Sequence, residues 1–176
     1  MTIRFFEDKR MRTVSDALDI AEDKTGDYYK FSIGQWKRHG YDVKTQSCLV
    51  GNEITSYAFA LLNKCSITLN NTYLKTKTRD FYFICLQDDQ ILKAMKRDSN
   101  LELLPLLVYI LTHELVHIVR FCNFSQRFEA SGEDREYEEK LVHSTTYDIL
   151  KDVSFLNMDY IFEAYRDHRI CDLSAS

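Results

Sequence analysis

The sequence lacks most of the short motifs by which an enzyme class can be identified at sight. It contains no Gly-rich phosphate loop and no G-x-S-x-G turn, and its five cysteines include no C-x-x-C pair. It also lacks a basic excess, because 23 Lys and Arg residues stand against 27 Asp and Glu residues for a net charge of −4. We therefore expect neither nucleic acid nor an anionic membrane as a partner.

Internal repeats, low-complexity tracts and interdomain linkers are missing as well. A chain of 176 residues with 45% apolar and 13% aromatic residues can bury one sizeable core, so we expect a single domain over residues 1–176. The first residues (MTIRFFEDKRMR) contain no apolar h-region, and the cysteines are an odd, widely spaced set that we interpret as reduced thiols. Both features favour a cytoplasmic protein. The apolar run before His113 is too short to predict a membrane span.

What the sequence does contain is the segment HELVH, with His113, Glu114 and His117 in the spacing H-E-x-x-H. Two histidines four residues apart lie on the same face of a helix, one turn above the other, and can bind one ion. The glutamate beside the first histidine can take a proton from a zinc-bound water while the metal polarises a carbonyl. This spacing predicts a zinc site with Glu114 as general base.

The alternative interpretation is a buried helix whose two histidines are satisfied by core neighbours. Two apolar stripes on the predicted helix favour burial, and a buried histidine or glutamate needs a partner whichever interpretation holds. The first stripe contains Leu104, Val108, Leu111, Leu115 and Ile118, and the second contains Leu106 and Ile110.

A catalytic zinc needs a third protein ligand. In one large class of helical zinc sites the third ligand is a histidine six residues after the second histidine of the motif. Here that position, six residues after His117, is occupied by Asn123. The other route is a side chain from the next helix, where Glu136, Glu138, Glu139 and His143 are all within reach. Glu139 and His143 share a helix face, so one could bind the metal while the other orients a ligand. Alternatively, the acidic residues are solvent-exposed and form the first turns of a helix, where the helix dipole favours negative charge.

Local patterns also predict the other elements. Helices are predicted over residues 13–26, with Thr13 as cap and Gly26 as terminator, and over 52–64, 88–96, 104–121, 135–153 and 158–170. A strand is predicted over 28–33, and a hairpin or three-stranded sheet over 65–86. Between and after these elements we predict a long connection over 34–51, a loop over 122–134 and a frayed terminus at LSAS, residues 173–176. Arg120 is predicted to be a solvated arginine at a helix end.

The segment LTHELVHIVRF (residues 111–121), followed by a loop and an acidic helix start (residues 134–143), resembles the zincin metallopeptidases in their gluzincin arrangement. The resemblance covers residues 101–150. It implies that His113 and His117 bind zinc, that Glu114 is the general base and that Glu139 completes the site. It also implies an α+β fold, a minimal zincin-like domain in which a small antiparallel or mixed sheet packs on the buried H-E-x-x-H helix.

The leading functional hypothesis from the sequence is zinc-dependent hydrolysis of peptide bonds in a peptide or protein substrate. The alternative is a non-catalytic zincin-like metal-binding module that acts in protein–protein interaction or regulation. Glu114 favours the enzyme, because a purely structural zinc site has no need of a general base.

Overall fold

The computed structural model describes residues 4–36, 39–69, 77–123, 132–154, 157–165 and 171–175. Within these residues the chain forms six α-helices and four β-strands, which confirms a mixed α+β fold. The helices are α1 (Asp8–Tyr29), α2 (Ile33–Trp36), α3 (Asp88–Arg97), α4 (Leu103–Cys122), α5 (Glu133–Leu150) and α6 (Met158–Tyr165). The strands are β1 (Tyr41–Lys44), β2 (Ala60–Leu69), β3 (Lys77–Leu86) and β4 (Cys171–Ala175).

The strands form one mixed sheet in the order β1-β3-β2-β4. β2 and β3 are antiparallel, with Leu62 opposite Ile84, whereas β1 runs parallel to β3 and β4 runs parallel to β2. Because side chains alternate between the faces of a strand, Leu62 and Ile84 enter the main core. Leu61 and Cys85 point to the other face and form a small second cluster with Leu49.

The central element of the core is α4, in which every residue from 105 to 119 is buried. It contacts α1, α5, α6 and the sheet, and Phe121 near its end stacks on Tyr82 of β3 with ring centroids 5.8 Å apart. By length and composition α4 also meets the criteria for a membrane-spanning helix, with a mean hydropathy of 1.5. Since 83% of an 18-residue apolar stretch of α4 is buried inside the fold, packing accounts for the apolar composition of this helix.

α1 is longer than the sequence predicts at both ends. It begins at Asp8 and not at Thr13, and Lys30, with φ 58°, takes the left-handed conformation predicted for Gly26. Gly26 lies inside the helix, where Trp36 of α2 packs directly on it. A Cβ at Gly26 would come 2.7 Å from Trp36 Nε1, so the glycine permits a close approach and does not end the helix.

The predictions for residues 28–64 are wrong. The predicted strand 28–33 consists of the end of α1, a three-residue connection and the first residue of α2. The predicted connection 34–51 contains the rest of α2 and β1. The predicted helix 52–64 ends inside β2, whose pairing with β3 buries Ala60 and Leu62 on one face and Leu61 on the other. The segment ALLNK suits a helix by intrinsic propensity, but sheet pairing overrides that weak preference.

The remaining predictions agree more closely with the structure. α3, α4 and α5 are confirmed with small shifts at their ends, and the antiparallel pairing of β2 with β3 confirms the hairpin. α6 begins where predicted, and residues 166–170 lie outside the described residues, as do residues 70–76 and most of the predicted loop 122–134. Of the LSAS terminus predicted to fray, residues 173–175 belong to β4, and residue 176 lies outside the described residues. The cysteines whose side chains are described are free.

Candidate metal centre

α4 and α5 meet at a cluster of two imidazoles and one carboxylate. His113 and His117, one turn apart on α4, place their Nε2 atoms 3.2 Å from each other. Glu139 of α5 reaches both rings, with one carboxylate oxygen 3.4 Å from His113 Nε2 and the other 3.4 Å from His117 Nε2. The fold therefore brings together the two motif histidines and the carboxylate that the sequence placed first among the third-ligand candidates.

These separations fit the coordination geometry of a small metal ion. With zinc–ligand bonds of about 2.0 to 2.1 Å, the ligand atoms of a tetrahedral site lie about 3.3 to 3.4 Å from one another. The two nitrogens are 3.2 Å apart, and each lies 3.4 Å from a different oxygen of Glu139, so the carboxylate spans both rings. Two imidazoles and one carboxylate leave a fourth position open on a tetrahedral ion, which is the composition of a catalytic zinc site.

Burial and mutual contact set the protonation states in the cluster. Burial lowers the pKa of His113 to about 3, against the opposing hydrogen bond to Glu139. Burial by itself raises the pKa of Glu139, but the hydrogen bonds with His113 and His117 outweigh burial and hold that pKa well below its usual range. A neutral imidazole beside an ionised carboxylate is the form in which these groups bind metals.

His143 lies next to the cluster, one turn after Glu139 on α5. Its ring centroid is 4.5 Å from that of His113, and ligand atoms of His113, Glu139 and His143 all lie within 4.8 Å of one another. Its Nδ1 is 2.9 Å from the hydroxyl of Tyr109 on α4. Both roles predicted for His143, a metal ligand or a support for a ligand, are compatible with this position.

Glu114 is fully buried and is not among the converging ligand atoms. Because it follows His113 by one residue, it projects about 100° further round α4. Its charge acts on Cys85 of β3: burial, followed by the negative charges of Glu53 and Glu114, raises the pKa of that thiol to about 12. Its place next to His113 in the chain makes Glu114 the candidate proton acceptor.

Arg120 connects α4 to α5 just beyond the histidines. Its Nε and Nη2 donate to the same carboxylate oxygen of Glu138, at 3.1 and 2.5 Å. The side chains are only 16% and 15% exposed, so the prediction of a solvated arginine is wrong. Since Glu139 is the next residue, this ion pair lies beside the contact between Glu139 and the histidines.

Tyr109 is the residue of this site that the sequence analysis missed. It lies one turn before His113 on the same face of α4 and is 2% exposed. Phe162 of α6 packs against its ring, with centroids 5.9 Å apart and an interplanar angle of 68°. The four-residue spacing from His113 is the signal in the sequence, but a tyrosine on an apolar helix is ordinarily a core residue.

Comparisons with protein-family models, with curated proteins and with solved structures found no match to this chain. The class of the site is therefore defined by its geometry alone. It is a candidate metal centre on two packed helices, with two imidazoles one turn apart on α4 and a carboxylate from α5.

Proposed function

We propose that the protein is a zinc-dependent peptide hydrolase, a minimal metallopeptidase of the zincin-like, gluzincin type. The observation that carries the proposal is the set of separations of 3.2 to 3.4 Å among His113, His117 and Glu139. A set of two imidazoles and one carboxylate suits zinc, and the H-E-x-x-H spacing on α4 adds the glutamate that hydrolysis needs.

His113, His117 and Glu139 would hold the metal. When bound, zinc supplies Lewis-acid polarisation of a carbonyl and activation of water at neutral pH. Glu114 would accept a proton from the attacking water and deliver it to the departing amine as the peptide bond breaks. The burial of Glu114 and both histidines keeps bulk water away from these groups and strengthens their electrostatic interactions.

A second candidate function is a non-catalytic metal-stabilised module that binds a protein partner. The burial of the site favours it, because His113, Glu114 and His117 are each 0% exposed while the Glu139 side chain is 19% exposed. With His143 as a fourth protein ligand the site would also be closed, as structural zinc sites are.

The first test is the metal content of protein purified without a metal-affinity tag. We expect about one zinc per chain by elemental analysis and loss of that zinc in His113→Ala. His39→Ala is the matched control, because this histidine lies between α2 and β1 and is not part of the cluster; the variant should keep its zinc. A His113→Ala variant with the metal content of the wild type would contradict the proposed site.

The second test concerns catalysis and uses a broad peptide library. Glu114→Gln should lower the rate of hydrolysis by a factor of about 10² to 10⁴ while zinc content and fold are retained. Glu102→Gln, an exposed glutamate at the start of α4, is the control and should remain active. A folded, zinc-loaded wild type that cleaves no peptide would favour the non-catalytic module. Activity that survives in Glu114→Gln would place the base elsewhere.

A further inference from the structure

A cavity of about 670 Å³ lies between α1, α2 and β1, and none of the cluster residues on α4 and α5 lines it. Its volume falls within the range of small-molecule binding sites. α1 forms one wall, and Phe31, Trp36 of α2 and the first three residues of β1 form the other. This cavity is independent of the candidate metal centre and of the function proposed for it.

Three aromatic side chains line the cavity, namely Phe31, Trp36 and Tyr41. The Trp36 ring stands at 89° to Phe31 and at 66° to Tyr41, with centroids 5.4 and 6.1 Å apart. Packing on Gly26 fixes the indole, and a hydrogen bond from the Tyr41 hydroxyl to Glu22 fixes the phenol. The Phe31 ring already stacks on Tyr29 and on His39, so Trp36 is the ring that we assign to an organic cation, since aromatic faces attract such cations.

Five carboxylates line the same cavity, and no Lys or Arg is found among the described residues that line it. Four of them are at positions 19, 22, 23 and 27 of α1, a span of about 12 Å along the helix. Asp23 forms an ion pair with Lys24 at 3.2 Å, and Glu22 accepts from Tyr41. Asp19 and Asp27 are thus the charges at the two ends of the row that face a ligand.

Acidic residues on a helix are by themselves an ordinary solvated face. The aromatic walls and the concave shape are independent of that charge, and they favour the same class of ligand. A divalent metal ion needs oxygen atoms that converge on one point. A row of carboxylates beside aromatic rings offers instead a channel for an extended molecule with several positive charges and an apolar chain between them.

We propose that this cavity binds a linear aliphatic polyamine. Its ammonium groups pair with Asp19 and Asp27, and its alkyl chain lies along Trp36 with one ammonium over an aromatic face. A single ammonium would reach only one end of the row. A triamine with spacers of three and four carbons reaches successive carboxylates, so it binds more tightly than a short diamine.

The chain provides its own reporter for this test, because Trp36 is its only tryptophan. We expect spermidine, titrated into the full-length protein at low ionic strength, to change the tryptophan emission saturably, with one molecule bound per chain by calorimetry. 1,4-Diaminobutane should bind more weakly. Added salt should weaken binding of both amines, because the ion pairs are exposed.

Variants locate the binding. Asp19→Asn/Asp27→Asn should weaken spermidine binding by about 3- to 30-fold, because two exposed ion pairs are lost. Asp16→Asn removes an exposed carboxylate of α1 that does not line the cavity and should change the affinity less than about twofold. Trp36→Phe, measured by calorimetry, should weaken binding several-fold because indole is the best cation–π partner.

Three results would overturn the proposal. The first is the absence of a saturable change in tryptophan emission. The second is an equal loss of affinity in Asp16→Asn and in the double variant, since binding would then reflect only the net charge. The third is tighter binding of tetralysine or of Mg²⁺ than of spermidine, which would assign the cavity to a basic peptide or to a metal ion. Circular dichroism of each variant shows that the fold is kept.

Discussion

The α4–α5 cluster and the cavity beside α1 both contain carboxylates, yet they place them in opposite environments. In the cluster Glu139 lies among buried histidines, and its two oxygens are 3.4 Å from their nitrogens. Along the cavity the carboxylates of Asp19 and Asp27 are on exposed residues eight positions apart. Buried polar groups must satisfy one another and therefore converge, whereas hydrated carboxylates can stay apart.

The difference between converging buried groups and dispersed exposed carboxylates means that the two regions suit different ligands. Convergent, desolvated nitrogen and oxygen atoms suit a single metal ion, which replaces the lost water as their partner. Dispersed, hydrated carboxylates suit an extended organic cation that is bound weakly and in a salt-dependent way. The predictions below test whether the two regions differ in ligand affinity, in packing and in response to acid.

The largest expected effect is on zinc affinity at the cluster. Glu139→Ala should lower it by more than about 100-fold if Glu139 is a ligand, whereas His143→Ala should cost about 10- to 100-fold if His143 only orients one. Competition with a zinc chelator measures both. The reverse order would make His143 the third ligand, and wild-type affinity in both variants would show that the site is built otherwise.

The second prediction compares packing. Leu115→Ala, at a fully buried position of α4, should lower the free energy of unfolding by about 2 to 5 kcal/mol. Leu18→Ala, the same change at a partly buried position in the cavity wall, should cost about 1 kcal/mol because water can fill the space. Urea unfolding followed by circular dichroism measures both. Equal losses would mean that the cavity wall is as tightly packed as the core.

The third prediction concerns acid and the strand that closes the cavity. Burial raises the pKa of Glu53, but the hydrogen bonds from Lys44 of β1, at 2.6 Å, and from the Val50 backbone outweigh burial and lower it below the usual 4.5. A lowered folded-state pKa gives stability that is present above pH 4.5 and is lost as the pH falls through the folded value.

Glu53→Gln should therefore be less stable than the wild type at pH 7, by about 1 kcal/mol, and the difference should shrink below pH 4.5. Urea unfolding at the two pH values, followed by the fluorescence of Trp36, measures the difference near the cavity. If the difference in free energy of unfolding between variant and wild type did not change with pH, the ion pair between Lys44 and Glu53 would not be its cause.

The smallest expected effect is a gain in stability. Asp27 places a negative charge in the last turn of α1, which has no basic residue there, so it opposes the helix dipole. Asp27→Asn should raise the free energy of unfolding by about 0.3 to 1 kcal/mol at low ionic strength. Asp16→Asn, far from that end, is the control. A gain that persists in high salt would have a cause other than charge.

Residues 28–64 show where inference from the sequence fails. Leu61 and Leu62 fit a helix by local pattern, but they become strand residues because their partners in β3, Cys85 and Ile84, pair with them along the backbone. Gly26 resembles a helix terminator, yet its role depends on Trp36 in the next element. Local periodicity contains no information about either partner.

The cluster shows the reverse case on α4. The sequence by itself determined the helix, its burial and the convergence of His113 and His117, because an apolar periodicity and a four-residue spacing are local properties of one helix. Those features persist in any fold that buries α4.

Only the tertiary structure decided that Glu139 of α5 meets the histidines. The sequence places Glu139 first, by its shared face with His143 and by the family resemblance, but helix periodicity alone does not give the rotation of α5 against α4. In the packed structure Glu138 pairs with Arg120 of α4 and Glu139 meets the histidines, while Glu136 remains exposed. These contacts join residues 18 or more positions apart, and such contacts form only when the two helices pack.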